Sequence, residues 1–156
     1  MIDTIVPVLP VATPAAAFRQ RTAAMIIDLG LLAALHFAYF AVTAVLLFQN
    51  LPLDLPTLFR ITISYAVFFL IAPCLLGLSY FTILHAVGGQ TLGKLIVGIR
   101  VAAIEGGPLP VGRSFLRTVG YLLSALPLGA GFLWMVLDRE QRCWHDRLAG
   151  SQVCPT

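Results

Sequence analysis

An aspartate sits inside a long apolar run. Residues 22–49 hold no Lys, Arg or Glu, and Asp28 is their one charged side chain. Two further runs, 61–87 and 118–137, carry no charge. A helix needs about 20 apolar residues to cross a hydrocarbon core, and each run meets that length. A carboxylate inside such a helix costs roughly 2.5–3.5 kcal/mol on insertion scales. It is therefore expected to face protein, with a partner and a role.

The rest of the chain agrees with a membrane protein. Charged residues make up 11% of it, against about a quarter in a soluble domain, and mean hydropathy is +0.92. A net charge of +3, scattered along the chain, excludes a nucleic-acid surface. Cys74, Cys143 and Cys154 form neither a disulfide framework nor a metal spacing. All three are expected reduced, with Cys74 a small buried apolar residue. No cofactor, metal site or catalytic constellation is expected, so the protein is not read as an enzyme.

Segment boundaries follow from charge and from Pro and Gly. Residues 1–17 hold Pro7, Pro10 and Pro14 and predict an extended, mobile tail. A membrane domain over 18–154 follows. It comprises helix 1 at about 20–49, helix 2 at about 60–87, a connection at 88–115, a third hydrophobic segment at 116–137 and a tail at 138–156. Arg19 and Arg21 precede helix 1, and Lys94, Arg100, Arg113 and Arg117 stand against one Glu105 near the connection. The positive-inside rule then puts the N-terminus and the connection in the cytoplasm of a bacterial inner membrane.

The third segment is broken by Pro127, Gly129 and Gly131. It reads either as a kinked span or as a re-entrant hairpin that returns to the side it left. Ile99–Ile104 reads as a strand, as does Leu109–Val111 after a Glu105-Gly-Gly-Pro108 turn. Trp144–Ala149 reads as a turn or two of helix capped by Gly150, with Ser151–Cys154 extended behind it. Two exposed strands need partners for their backbone groups. Pairing the tail with Ile99–Ile104 would satisfy both and leave the C-terminus cytoplasmic. The fold class expected is an all-α transmembrane helical bundle: two full spans, a third kinked or re-entrant segment, and a small cytoplasmic cap containing β-structure.

Three blocks carry a resemblance. They are Arg21-Thr-Ala-Ala-Met-Ile-Ile-Asp28, then Gly89-Gln-Thr-Leu-Gly93-Lys94 with Gly98-Ile-Arg-Val101, then Trp144-His-Asp-Arg-Leu-Ala-Gly150-Ser151. Their content and order resemble the RDD family of small multi-pass membrane proteins, with Ser151 where Thr is usual. The resemblance runs from about Phe18 to Val153. It implies that the family's Arg and two Asp correspond to Arg21, Asp28 and Asp146, with Asp138 a weaker choice for the last. A transport role is often proposed for the family.

The candidate polar core is Arg21, Asp28, His36, Lys94, Arg100, Arg117 and Asp146. Arg21 and Asp28 are seven residues apart, roughly 10 Å along a helix, too far for a simple pair. Arg21 can snorkel to headgroups. Asp28 is expected to pair with a basic group of the cytoplasmic side, with Arg100, Arg117 or Arg147 as candidates. Arg21, Asp28, His36, Tyr39 and Thr43 share one face of helix 1, so His36 could extend a proton path from Asp28. Ser64, Cys74, Ser79, Thr82 and His85 form a broader stripe on helix 2, with a kink expected at Pro73. Gly88–Lys94 fits seven positions of a phosphate-binding loop, but Leu95 stands where magnesium needs Ser or Thr. It is read instead as a membrane-surface turn into a short amphipathic segment, Leu92–Val97, with Lys94 touching headgroups or Asp28. His145 and Asp146 lack a placed nucleophile, and Asp146 reads as an anchor for the tail. Two functions stand: a transport-related protein handling a small ion or coupled to protons, or a non-catalytic accessory subunit. The partners expected are the lipid bilayer and either a homo-oligomer or another membrane protein.

Overall fold

The computed structural model describes residues 14–49 and 54–156. α1 covers Phe18–Gln49 and α2 covers Leu55–Val87. At 1.5 Å per residue each is about 50 Å long, enough for a tilted crossing. α2 starts where Asp54 accepts a hydrogen bond from the Thr57 backbone N–H at 3.0 Å, with Pro56 in its first turn. It continues through Pro73 as one helix, so the kink expected there does not interrupt it. None of the most apolar stretch of α1 is buried by protein. Side chains such as Phe37, Phe48, Phe59 and Leu70 point outward, which lipid accommodates and water does not. Cys74 is among the exposed residues, correcting the buried position expected for it.

The two spans run antiparallel. Thr43 meets the Tyr65 hydroxyl at 2.7 Å, His36 packs on Phe69, and Tyr80 reaches Asp28. After α2 the chain turns into α3, Leu92–Val97. Thr91 caps it by accepting from the Lys94 backbone N–H at 3.3 Å. Gly98, with φ 73°, ends it in the left-handed region that glycine adopts freely. β1, Ile99–Ala103, follows directly.

α4 spans Val111–Ala125 and α5 spans Ala130–Leu137. They meet at 97°, across an elbow where Pro127 removes a backbone donor and Leu128 and Gly129 take φ of 53° and 81°. Leu109–Val111, expected as a second strand, is not one. Leu109 is buried, and Pro110, whose fixed φ suits a helix start, leads into α4. After α6 (Trp144–Leu148), β2 (Ser151–Pro155) pairs antiparallel with β1, Val101 opposite Val153. The Ala16 N–H donates to the Val153 carbonyl at 2.8 Å. Thus the start of α1, the connection and the tail lie at one end of the spans and share a small core of Ala16, Ala24, Ile99, Val101, Ala103, Leu109 and Val153. Ala16 belongs to the tail expected to be mobile, yet it is 1% exposed and bonded. Residues 1–13 of that tail lie outside the described residues.

The β1–β2 pairing brings the chain after the third segment back beside the strand that precedes it. α4 leaves the capped end and the chain after α5 returns to it. Thr82 and Thr118 lie 3.3 Å apart, so the elbow reaches about two turns beyond that contact along α2. The third segment is a bent helix pair, with Leu122, Leu126 and a fully exposed Leu128 around its elbow.

Candidate functional site

The buried charges gather where α1, α2, α3, α4 and α6 meet, and they form two clusters. In the first, Asp146 is 0% exposed. Arg21 Nη1 donates to its Oδ2 at 2.7 Å. Arg117 Nη2 lies 2.7 Å from Oδ1, an ionic contact off the hydrogen-bonding line. The Cys143 backbone N–H donates to Oδ2 at 3.1 Å, closing the start of α6. Burial alone would raise the Asp146 carboxyl, but Arg117, His145 and Arg21 together hold it at about 2. Arg21 also donates to the Ala16 and Val153 carbonyls, and Arg117 to the Ser151 hydroxyl at 2.8 Å. This cluster ties α1, α4, α6 and β2 together. Arg21 does not snorkel to headgroups: the tail supplies its partner.

In the second cluster Asp28 is 1% exposed and has no cation in contact among the described residues. Its carboxylate accepts from the Thr91 hydroxyl at 2.5 Å, the Gly93 N–H at 2.7 Å and the Tyr80 hydroxyl at 2.8 Å. The ion pair expected with Arg100, Arg117 or Arg147 is not formed. Arg117 is committed to Asp146, Arg147 to Asp138, and Arg100 is exposed on β1. The turn that resembled a phosphate loop does bind an anion with its backbone and hydroxyl donors, and that anion is the protein's own Asp28. Gly93 makes this approach feasible. A Cβ there would stand 2.1 Å from the Ala24 carbonyl oxygen and 2.9 Å from the Asp28 carboxyl carbon.

Lys94 points neither to headgroups nor directly at Asp28. It is 7% exposed, and its Nζ lies 2.6 Å from His85 Nε2. With Lys94 as donor, the His85 proton resides on Nδ1, which is buried without a partner. Burial, then the positive charge of Arg117, pulls the lysine down to about 7, against the smaller upward pulls of Asp28 and Asp146. A cavity of about 50 Å³ lies between the clusters, lined by Asp28, Lys94, Arg21, Arg117 and His145 and closed by aromatic rings including Phe81 and Phe132. That volume has room for a few waters.

His36 and Arg100 are not brought to this site. His36 lies two turns along α1 from Asp28, against Phe69, with Nε2 buried and unpartnered. Tyr80, Thr91, His85 and His145 are part of the site although the sequence singled them out for other roles or for none. Thr91 carried the clearest signal, as a helix-capping residue inside the glycine-rich block.

Two catalytic-looking arrangements do not hold. Ser124 Oγ lies 3.2 Å from His145 Nδ1, and His145 Nε2 lies 3.6 Å from Asp146. However, the Ser124 hydroxyl donates to the Gly120 carbonyl, is fully buried, and packs under Gly131, so no substrate reaches it. Cys143, His145 and Asp146 place potential metal ligands within 4.8 Å of one another. Asp146 is already neutralised by two guanidiniums, and burial pushes the Cys143 thiol up to about 12. Burial also holds His145 neutral, at about 3.

The family model described as the RDD family matches residues 15–150, most of the chain. This chain belongs to the RDD family. Arg21 and Asp146 form a direct ion pair, and Asp28 seats α3. No match is found among curated proteins or among solved structures.

Proposed function

We propose that this RDD protein is the protomer of an oligomeric, proton-coupled transporter of a small ion in the bacterial inner membrane. Its cap faces the cytoplasm, and Lys94, His85 and Asp28 form its proton-exchange site. The observation that carries this reading is a buried lysine held at about 7 against an imidazole, beside a cavity sized for water. Seating α3 needs only Asp28, Thr91 and Gly93. A lysine poised near neutrality adds proton exchange at physiological pH. Oligomerisation follows from size. One chain supplies two full spans, packed together through aromatic contacts such as Phe40 with Tyr65 and Phe69, and two spans are too few to enclose a path alone. The orientation follows from Arg19, Arg21, Lys94 and Arg100 lying at the capped end. The reading assigns no catalytic step to the protein.

One observation favours the accessory reading instead. Both Asp28 and Asp146 are fully engaged in holding the cap to the bundle, as a docking platform would require. Reconstitution distinguishes the two. Purified protein in liposomes should move protons in response to a monovalent cation gradient, read by an internal pH dye. Lys94→Met should abolish that movement while the protein still melts cooperatively in detergent. Native protein that moves no protons in any cation gradient would leave the accessory reading.

A further inference from the structure

A groove of about 640 Å³ opens between α1 and α2 at the end opposite the cap, walled by Tyr39, Leu47, Ile61 and Phe68, with Arg60 and Ser64 along one edge. Arg60 is the one Lys or Arg between Thr22 and Val87. It is exposed, and it has no hydrogen bond or ion pair among the described residues. The nearest acid in sequence, Asp54, is committed to capping α2. Ser64 lies one turn further along the same face, also exposed and without a bonded partner among the described residues. The groove floor is different. The Tyr65 and Thr43 hydroxyls bond each other and the Phe40 carbonyl, which presents an apolar surface to whatever lies above them. From Arg60 to Phe68 the groove runs eight residues, about 12 Å into the bilayer.

We propose that this groove is a binding site for one anionic phospholipid of the leaflet opposite the cap. The phosphodiester sits on the Arg60 guanidinium, whose planar fork matches two phosphate oxygens. The Ser64 hydroxyl meets the ester region below it, and an acyl chain lies along Leu47, Ile61 and Phe68. A second copy of the chain in the same orientation fits the groove less well. It brings the same cationic edge and no free carboxylate at that depth.

Native mass spectrometry of the delipidated protein tests this, with phosphatidylglycerol and phosphatidylcholine of identical acyl chains titrated separately. One phosphatidylglycerol should be retained about five-fold more tightly, the preference one basic residue gives an anionic headgroup. Arg60→Gln should remove the preference, Arg60→Lys should keep part of it, and Arg100→Gln, on the cap, should leave it intact. Equal retention of the two lipids, or a preference that survives Arg60→Gln, overturns the site. So does a lipid-free dimer that Arg60→Gln dissociates, which would give the groove to a second copy.

Discussion

Lys94 keeps company with an imidazole, and its carboxylate neighbour is already satisfied by other donors. Its charge is therefore the adjustable one in the cluster. In the unfolded chain it holds its proton up to about 10.5, and in the folded protein only to about 7. Between those values the unfolded state binds the extra proton, so stability should rise with pH from about 7 to about 9, above which the Cys143 thiol, raised by burial from 9.0 to about 12, begins to offset the gain. Thermal melting in detergent across that range should show the rise in native protein and a flatter profile in Lys94→Met. Gly93 offers a second test at this scale. Gly93→Ala drives a methyl group into the Ala24 carbonyl and should destabilise the protein by about 1–3 kcal/mol. It should also free Asp28 from α3, visible as faster amide exchange over 92–97. Sequence reasoning placed Asp28 against protein but assigned it the wrong partner. It treated the carboxylate as needing a countercharge, whereas three neutral donors at hydrogen-bonding distance satisfy it. Only folding brings Tyr80, Thr91 and Gly93, each more than 50 residues from Asp28 in the chain, to one point.

The cap elements depend on one side chain. Asp146→Ala would leave Arg21 and Arg117 buried without their anion, a loss of about 3–5 kcal/mol. Because Arg21 and Arg117 also hold Val153 and Ser151, the mutant should expose both β1 and β2 to limited proteolysis. Cleavage confined to 151–156, with 99–103 still protected, would show that the strands stand independently. Acid should act on the same elements. Unfolded His145 takes a proton below its ordinary 6.5 while the folded one resists to about 3, and Asp146 resists from 3.8 to about 2. Stability should therefore decline below pH 6.5 and again below pH 4, and His145→Gln should lessen the first decline. At this scale much was legible. The strands at 99 and 151 announced themselves by their turn residues and by backbone groups needing partners. α4 was read too late, because Leu-Pro-Val looks extended in isolation and becomes a helix start only when Pro110 is followed by a packed face on α2. The break at Pro127 was visible, but its direction was not. The bend is fixed by Gly131 lying against Ser124.

At the scale of the whole molecule, both termini of the described chain meet at one end of the spans. A C-terminal green fluorescent protein fusion should fluoresce, and a C-terminal alkaline phosphatase fusion should be inactive. The opposite pair of results would reverse the orientation proposed here. Residue patterns gave the span count and the shared side for both ends through Lys and Arg placement. They carried no depth for the third segment, which depends on where α4 docks along α2. The Arg21–Asp146 pair has a further consequence, for synthesis. The two residues lie 125 positions apart, and β2 follows α6, far downstream of β1. While the chain is being made, α1 and α2 enter the bilayer with Arg21 lacking its anion and β1 lacking its neighbour. The cap closes only after Asp146 and β2 have been made, so a chain terminated before Asp146 has its membrane helices but an open, cationic end.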